Sequence, residues 1–199
     1  MCSSDLANYA WILHMLSKLD VTNGIAGFLL ANGALNSDSE ELKIRKQLIE
    51  NDKIEAIIVL PREMFYSTDI SVTLWIMNNN KKARTLHERK LRDRHKEFLF
   101  VDLRRWNTNI YEKKYVMFDD AQTADIKKIY NDWQTGQGYK DVAELCKSVK
   151  IEEIRSKDYS LAPSKYIEFI DHDLEIDHES EMKRIQAEMR EILKTKKQS

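Results

Sequence analysis

Proline and glycine are both scarce: Pro61 and Pro163 are the only prolines, and five glycines are scattered along 199 residues. No Walker-type phosphate loop occurs. The one G-x-G, Gly136-Gln137-Gly138, follows a helical stretch rather than a strand and lacks a third glycine, so it fails as a dinucleotide fingerprint. Cysteine is rarer still. Cys2 and Cys146 are too few and too far apart for a disulfide framework, which points to a reduced, cytoplasmic protein. No apolar run reaches the length of a membrane span, and the opening MCSSDLANYAW has no basic-then-apolar signal pattern. The net charge of −1 removes any global basic bias, so a nucleic-acid partner has to be met by a local patch.

What is present reads as one α/β core with extensions. Tyr9, Ile12, Leu13, Leu16 and Leu19 fall at helical spacing over residues 5–19. Gly24–Ala31 is a short apolar run of the kind buried on both faces in a parallel sheet. Asn36–Ser39 offers helix caps for a helix over 39–50, and Ile54–Leu60 is a second buried strand. The chain turns at Pro61, shows Phe65-Tyr66-Ser67-Thr68-Asp69, and returns in an antiparallel strand over Ile70–Met77, expected near the sheet edge. Glu97–Leu103 is a further strand, with Arg104-Arg105-Trp106 at its end. Asp119 or Asp120 caps a helix stopped at Gly136, and Val142–Val149 and Ile151–Tyr159 read as short helices. Leu161–Phe169 is expected to be extended, since proline disfavours helix before it.

Two segments stand out by charge. Lys81–Lys96 carries eight Lys or Arg against two acids, a local charge of +6. Lys81, Lys82, Arg84, Arg89, Lys90, Arg92 and Arg94 are its candidate contacts to DNA phosphates. Residues 168–181 hold seven acids and no Lys or Arg, a solvated linker. His172 and His178 lie within it among carboxylates, and no metal site is expected there. Beyond it, Met182, Ile185, Met189 and Ile192 form a short a/d seam that needs a partner.

In open α/β sheets ligands bind beyond the carboxyl ends of the strands, where Asn32-Gly33 and Pro61–Tyr66 both lie. An aromatic pair with hydroxyls nearby suits a nucleobase. These residues carry a resemblance. ANYAWILHM (Ala7–Met15), GIAGFLLANGAL (Gly24–Leu35), IRKQLI (Ile44–Ile49), IEAIIVL with Pro61, and MFYST (Met64–Thr68) appear in order. Cys146-Lys147-Ser148, IEEI (Ile151–Ile154) and Asp158-Tyr159 continue the run. Together they resemble the modification (methylation) subunit of type I restriction–modification systems, an adenine-specific DNA methyltransferase family, over about residues 5–167.

The resemblance implies the C-terminal part of a Rossmann-like methyltransferase sheet, mixed, with an antiparallel return strand, followed by helical segments and a C-terminal helix. It implies residues 1–118 as part of the catalytic domain, 119–167 as its helical extension, 168–180 as a linker and 181–199 as a partner-binding helix. It implies S-adenosylmethionine as methyl donor for the intact enzyme, with DNA and the specificity and restriction subunits as partners. Phe65, Tyr66, Asn32 and Thr68 then fall beside the pocket for a flipped-out adenine. Ser71 departs from the family, which commonly has proline there. The larger departure is the catalytic tetrapeptide Asn/Asp-Pro-Pro-Tyr/Phe, because the sequence contains no Pro-Pro. The glycine-rich cofactor loop is missing as well. The expectation is a chain that is inactive alone, complemented by an upstream fragment, or else a non-enzymatic module that docks a specificity subunit and DNA.

Overall fold

A computed structural model describes residues 3–86, 88–107, 110–111 and 115–170, together with Met182, Arg184 and Met189. Residues 1–168 form one compact unit and Phe169–Ser199 a second. In the first unit a five-stranded sheet runs in the order β1-β3-β2-β6-β9. Its strands are β1 (Ile25–Ala31), β2 (Ile54–Val59), β3 (Val72–Asn78), β6 (Glu97–Asp102) and β9 (Cys146–Lys150). Only β2 and β6 pair in parallel, while β1–β3, β2–β3 and β6–β9 are antiparallel. The mixed α/β sheet and its antiparallel return strand are as expected. The return strand β3, however, sits between β1 and β2 rather than near the edge.

Helices cover both faces. On one side α1 (Ser3–Lys18), α2 (Glu40–Glu50) and α4 (Ile151–Ser156) bury Tyr9, Ile12, Leu48, Ile49, Ile151 and Ile154 against Ile57, Trp75, Met77, Phe98 and Phe100. On the other, α3 (Asp120–Thr135) buries Trp133 against Ala56, Ile58, Leu99 and Val101. Burying one such large side chain stabilises by about 1.5–3 kcal/mol, so two opposed clusters hold the sheet rigid. The caps of α3 follow its sequence. Asp119 accepts from the Gln122 amide, Gln122 reciprocates in a capping box, and Gly136 ends the helix at φ 75°.

Several elements depart from expectation. β1 is an edge strand whose residues alternate in exposure, because Ala26, Phe28 and Leu30 pack on the α1 and α2 side while Ile25 and Leu29 face outward, away from the α3 cluster's contacts. Ser39 precedes α2 but makes no capping hydrogen bond and has φ 61°. Residues 142–149 are not helical: Cys146–Lys150 adds to β6 as the far edge strand. A single 3-10 turn, Pro163–Lys165, interrupts the extended stretch over 161–169.

The basic segment folds into a hairpin of β4 (Arg84–Leu86) and β5 (Arg89–Leu91), with Arg92 N–H donating to the Gln134 carbonyl of α3. A second short hairpin pairs β7 (Ile110–Tyr111) with β8 (Tyr115–Val116). Among the described residues no helix is long and apolar enough to cross a membrane.

Candidate nucleotide site

Strand polarity decides which turns meet. β1, β2 and β6 all run the same way, since β3 is antiparallel to both β1 and β2 and β2 is parallel to β6. The turns after them are Asn32–Leu35, Leu60–Met64 and Leu103–Trp106. They gather at one end of the sheet around a hollow of about 510 Å³, lined by Asn32, Arg62, Glu63, Ser71, Arg104, Asn107 and Val116. That volume falls in the usual range for a small-ligand site. A smaller hollow of about 150 Å³ adjoins it, sharing Asn32 and Arg104.

Asn32 opens the 3-10 turn after β1, and its Oδ1 is buried with no hydrogen-bond partner. A buried acceptor left unpaired costs about 1–3 kcal/mol, so its position calls for a donor from a ligand or water. Gly33 beside it has open space where a Cβ would stand. Ser71, at the approach to β3, is buried and lines the same hollow.

The Phe65-Tyr66 pair divides. Phe65 packs half-buried against the second core cluster, so its ring belongs to the fold and not to the hollow's lining. Tyr66 is 72% exposed and lies against Tyr115, with ring centroids 4.2 Å apart. Thr68 is held locally, its hydroxyl accepting from the Ile70 amide and its backbone bridged to Phe65. The β8 strand is fastened here too, through Val116 N–H to the Glu63 carbonyl at 2.9 Å. Of the four residues expected at the pocket, Asn32 lines the hollow, Tyr66 lies outside its lining on the β2–β3 loop that carries Arg62 and Glu63, and Phe65 and Thr68 serve that loop's own structure.

At and behind the hollow stand groups that sequence reasoning left without a role. Asp102 ends β6 and is buried; Arg104 follows two residues later in the turn. Arg104 Nε donates to Asp102 Oδ1 at 2.9 Å and Nη2 to Oδ2 at 2.6 Å, a two-pronged pair that keeps the guanidinium firmly charged. Arg62 is exposed on the facing turn, and Glu63 beside it is exposed as well. The pattern Asp-Leu-Arg at a strand's end was visible in the sequence, but an i,i+2 clamp has no distinctive signature there.

The basic hairpin lies elsewhere. It leaves the sheet after β3, at the end where β2 and β6 begin, about 20 Å from the hollow at ~3.3 Å per strand residue. Two of its seven expected phosphate contacts are corrected outright. Lys81 is 3% exposed and is paired to Asp52 at 2.6 Å, also donating to the Ile54 carbonyl. Its burial lowers its pKa, while Asp52 acts to raise it. Arg94 is wholly buried and donates to Glu55 Oε1 at 3.1 Å. Glu55 sits at a register shift in β2, and this bulge turns it toward Arg94, Gln134 and Asn78. Charges this deep are structural, because an ion leaves water only when paired. Arg92 is half-buried on the Trp133 carbonyl and Glu97, and Arg84 is half-buried with a bond to the Asn80 carbonyl. Lys82, Arg89 and Lys90 remain exposed, with Arg89 bonded to Asn131.

In the terminal segment Met182 and Met189 are helical and more than half exposed. Ile185, Ile192 and the acidic stretch over 171–180 lie outside the described residues. Among the described residues no group of three or more His, Cys, Asp or Glu is arranged to hold a metal.

A family profile described as N-6 DNA Methylase matches residues 2–174. The chain belongs to the N-6 DNA methylase family. It is 38% identical over 165 residues to the methylase subunit of the type I restriction enzyme HindI of Haemophilus influenzae. That match covers 81% of this chain and 34% of the relative. The MjaIX methylase subunit of Methanocaldococcus jannaschii is 30% identical over 192 residues, covering 94% of this chain and 32% of that one. Among solved structures, the type I restriction-modification methyltransferase subunit of Streptococcus thermophilus superposes with a TM-score of 0.68 at 26% identity. That superposition covers 81% of this chain and 30% of the other. The M protein of the type I restriction enzyme EcoKI is alike in fold, with a TM-score of 0.60 at 14% identity, over 83% of this chain and 38% of that one. The chain thus spans about a third of the length of the curated relatives it matches.

The glycines show how much of a cofactor cradle this third contains. A cradle for S-adenosylmethionine of the glycine-loop type needs close backbone approach after a strand. Gly136 and Gly138 follow α3, and a Cβ on Gly136 would stand 3.0 Å from Arg92 Cδ. Gly24 is packed against the Asp20 backbone, and Gly27 lies mid-strand. Only Gly33 is both open and beyond a strand's carboxyl end. The described residues do not form such a cradle by themselves.

Proposed function

We propose that this chain is the target-base portion of an adenine-specific DNA methyltransferase subunit of a type I restriction–modification system. The reaction proposed for the whole subunit is methyl transfer from S-adenosylmethionine to the exocyclic amine of adenine. In this reading the chain supplies one side of the pocket for an adenine turned out of DNA. The residues that bind S-adenosylmethionine and act on the amine come from outside it. The carrying observation is Asn32, whose buried Oδ1 has no partner beside a hollow at the carboxyl ends of β1, β2 and β6. An amide side chain is matched to adenine, offering an acceptor for N6–H and a donor for N7. Tyr66 is exposed on the adjoining loop and supplies a face for stacking.

The test uses the full chain, labelled for NMR, titrated with deoxyadenosine and with deoxycytidine. Deoxyadenosine should shift the resonances around Asn32 and bind the more tightly, and Asn32→Ala should weaken it about ten-fold, the worth of one well-placed bidentate contact. Equal binding of the two nucleosides overturns the reading. Calorimetry with S-adenosylmethionine should show no micromolar binding by this chain alone; such binding would refute the division of labour.

A second, non-enzymatic role is compatible with the first. The exposed methionines Met182 and Met189 support a docking segment for a specificity subunit, in keeping with the a/d spacing they share in sequence with Ile185 and Ile192. Restriction subunits would join through the same assembly. Lys82, Arg89 and Lys90 are then a separate, sequence-independent contact to DNA phosphates, remote from the base pocket.

A further inference from the structure

We propose that Arg104, held in place by Asp102, grips the phosphodiester next to the extruded adenine, so that the hollow takes a nucleotide and not a bare base. This rests on the reading of the hollow as a base site. It concerns a different part of the ligand and a residue to which nothing above gives a function.

The geometry points to Arg104 for three reasons. First, its guanidinium is fixed. Nε and Nη2 engage both carboxylate oxygens of Asp102, and Asp102 Oδ1 also accepts from the Arg104 amide at 3.1 Å. The carboxylate is 4% exposed, so the anchor is rigid and shielded from water. Second, the grip is incomplete. Nη1 makes no hydrogen bond to any described residue, and the side chain is 45% exposed. An arginine with one edge on a buried carboxylate and the other toward an open hollow is preorganised for an oxyanion. Third, Arg104 shares both hollows with Asn32, whose Oδ1 is the unpartnered acceptor. A base on Asn32 and an anion on Arg104 are therefore neighbouring occupants of one cavity.

The other charges around the cavity fix the class of anion. Arg62 adds a cation from the turn after β2, bonded among the described residues only through a long 3.4 Å contact from Nε to the Asp69 carbonyl. Glu63 adds a carboxylate. Asp102 is covered by Arg104, so the groups facing the cavity are two cations and one acid. That balance suits the single negative charge of a phosphodiester.

The experiment titrates the full chain with d(TpA), d(ApT), deoxyadenosine and inorganic phosphate. Each dinucleotide carries one phosphodiester, on opposite sides of the adenosine. One of the two should bind about ten-fold more tightly than deoxyadenosine, as a charge-assisted hydrogen bond gives. R104Q should erase that gain, so that the better dinucleotide binds the variant no more tightly than deoxyadenosine binds the same variant, and E63Q should enlarge it. R104Q strands Asp102, so R62Q, on an exposed side chain, serves as a second variant and should lose part of the same gain. If both dinucleotides bind no better than deoxyadenosine, the phosphate grip is wrong and the base pocket stands. Failure of all three adenine compounds to bind overturns both. Inorganic phosphate binding as tightly as the better dinucleotide would make this a free-anion site and overturn the inference.

Discussion

Replacing Arg94 by methionine separates a structural arginine from a DNA-binding one. The guanidinium is wholly buried, bonded to Glu55 at 3.1 Å and to the Arg92 carbonyl at 2.8 Å. It also lies 5.7 Å from the Trp133 ring centre. Methionine keeps most of the bulk and removes the charge, so Glu55, itself fully buried, loses its one ion-pair partner among the described residues. Removing one member of a buried pair costs about 3–5 kcal/mol. At about 2–4 °C per kcal/mol for a chain of this size, Tm should fall by roughly 6–20 °C. An exposed arginine would cost no more than about 0.5 kcal/mol. Thermal unfolding followed by circular dichroism reads the difference. The double variant E55Q/R94M strands no charge and should recover part of the loss. A fall of less than ~3 °C for R94M, or a double variant less stable than the single one, would refute the assignment of Arg94 to the core.

Glu50 has its carboxyl lowered to about 2, chiefly by the hydrogen bond from Arg155, with Tyr159 contributing. A depressed carboxyl stabilises the fold above its unfolded value and loses that contribution as pH falls, here from the ordinary glutamate value of 4.5 down to about 2. Acid unfolding should therefore steepen in that window, and Arg155→Gln should flatten it; identical acid profiles would count against the pair. For the hairpin, Lys82→Ala with Lys90→Ala should lower the salt slope of duplex binding by about 1.8, two phosphates at ~0.9 each, with Arg89 left in place. An unchanged slope would remove the hairpin from the DNA contact. For the terminal segment, deleting 181–199 should abolish capture of a specificity subunit in a pull-down, and retained capture would place docking elsewhere.

The parts of the fold that were legible were those where local chemistry and burial agree. Asp119 with Gln122, and Gly136, set both ends of α3. The apolar run Ile54–Val59 is buried throughout as β2. Residues 142–149 misled because Val142, Leu145, Cys146 and Val149 fall at helical spacing. The unpaired edge of β6 nevertheless drew Cys146–Lys150 into the sheet, a tertiary pairing that outweighs a short local pattern. Charge counting found the basic segment but had no means of sorting it. Lys81 and Arg94 look the same as Lys82 and Lys90 until the bulge at Glu55 and the carboxylate of Asp52 are in place. Of the site, Asn32 was legible from its position after an apolar strand. Arg104 was not, because its role depends on a partner two residues away whose burial only the closed sheet creates.

Arg94 N–H also donates to the Lys81 carbonyl at 2.9 Å. The two buried cations thus pin the base of the hairpin from both sides, and what lies between them is a closed loop with its ends already joined. Lengthening a loop whose ends are fixed is cheap, about 0.6 kcal/mol per doubling. Leu91 and Arg92 remain tied to the core and to α3, and Leu86 pairs with Arg89, which leaves the turn at exposed Glu88 as the variable tip. The tip is a graft point: a tag, a fluorophore or a foreign peptide placed there would be carried about 20 Å or more from the hollow, at ~3.3 Å per residue of intervening strand.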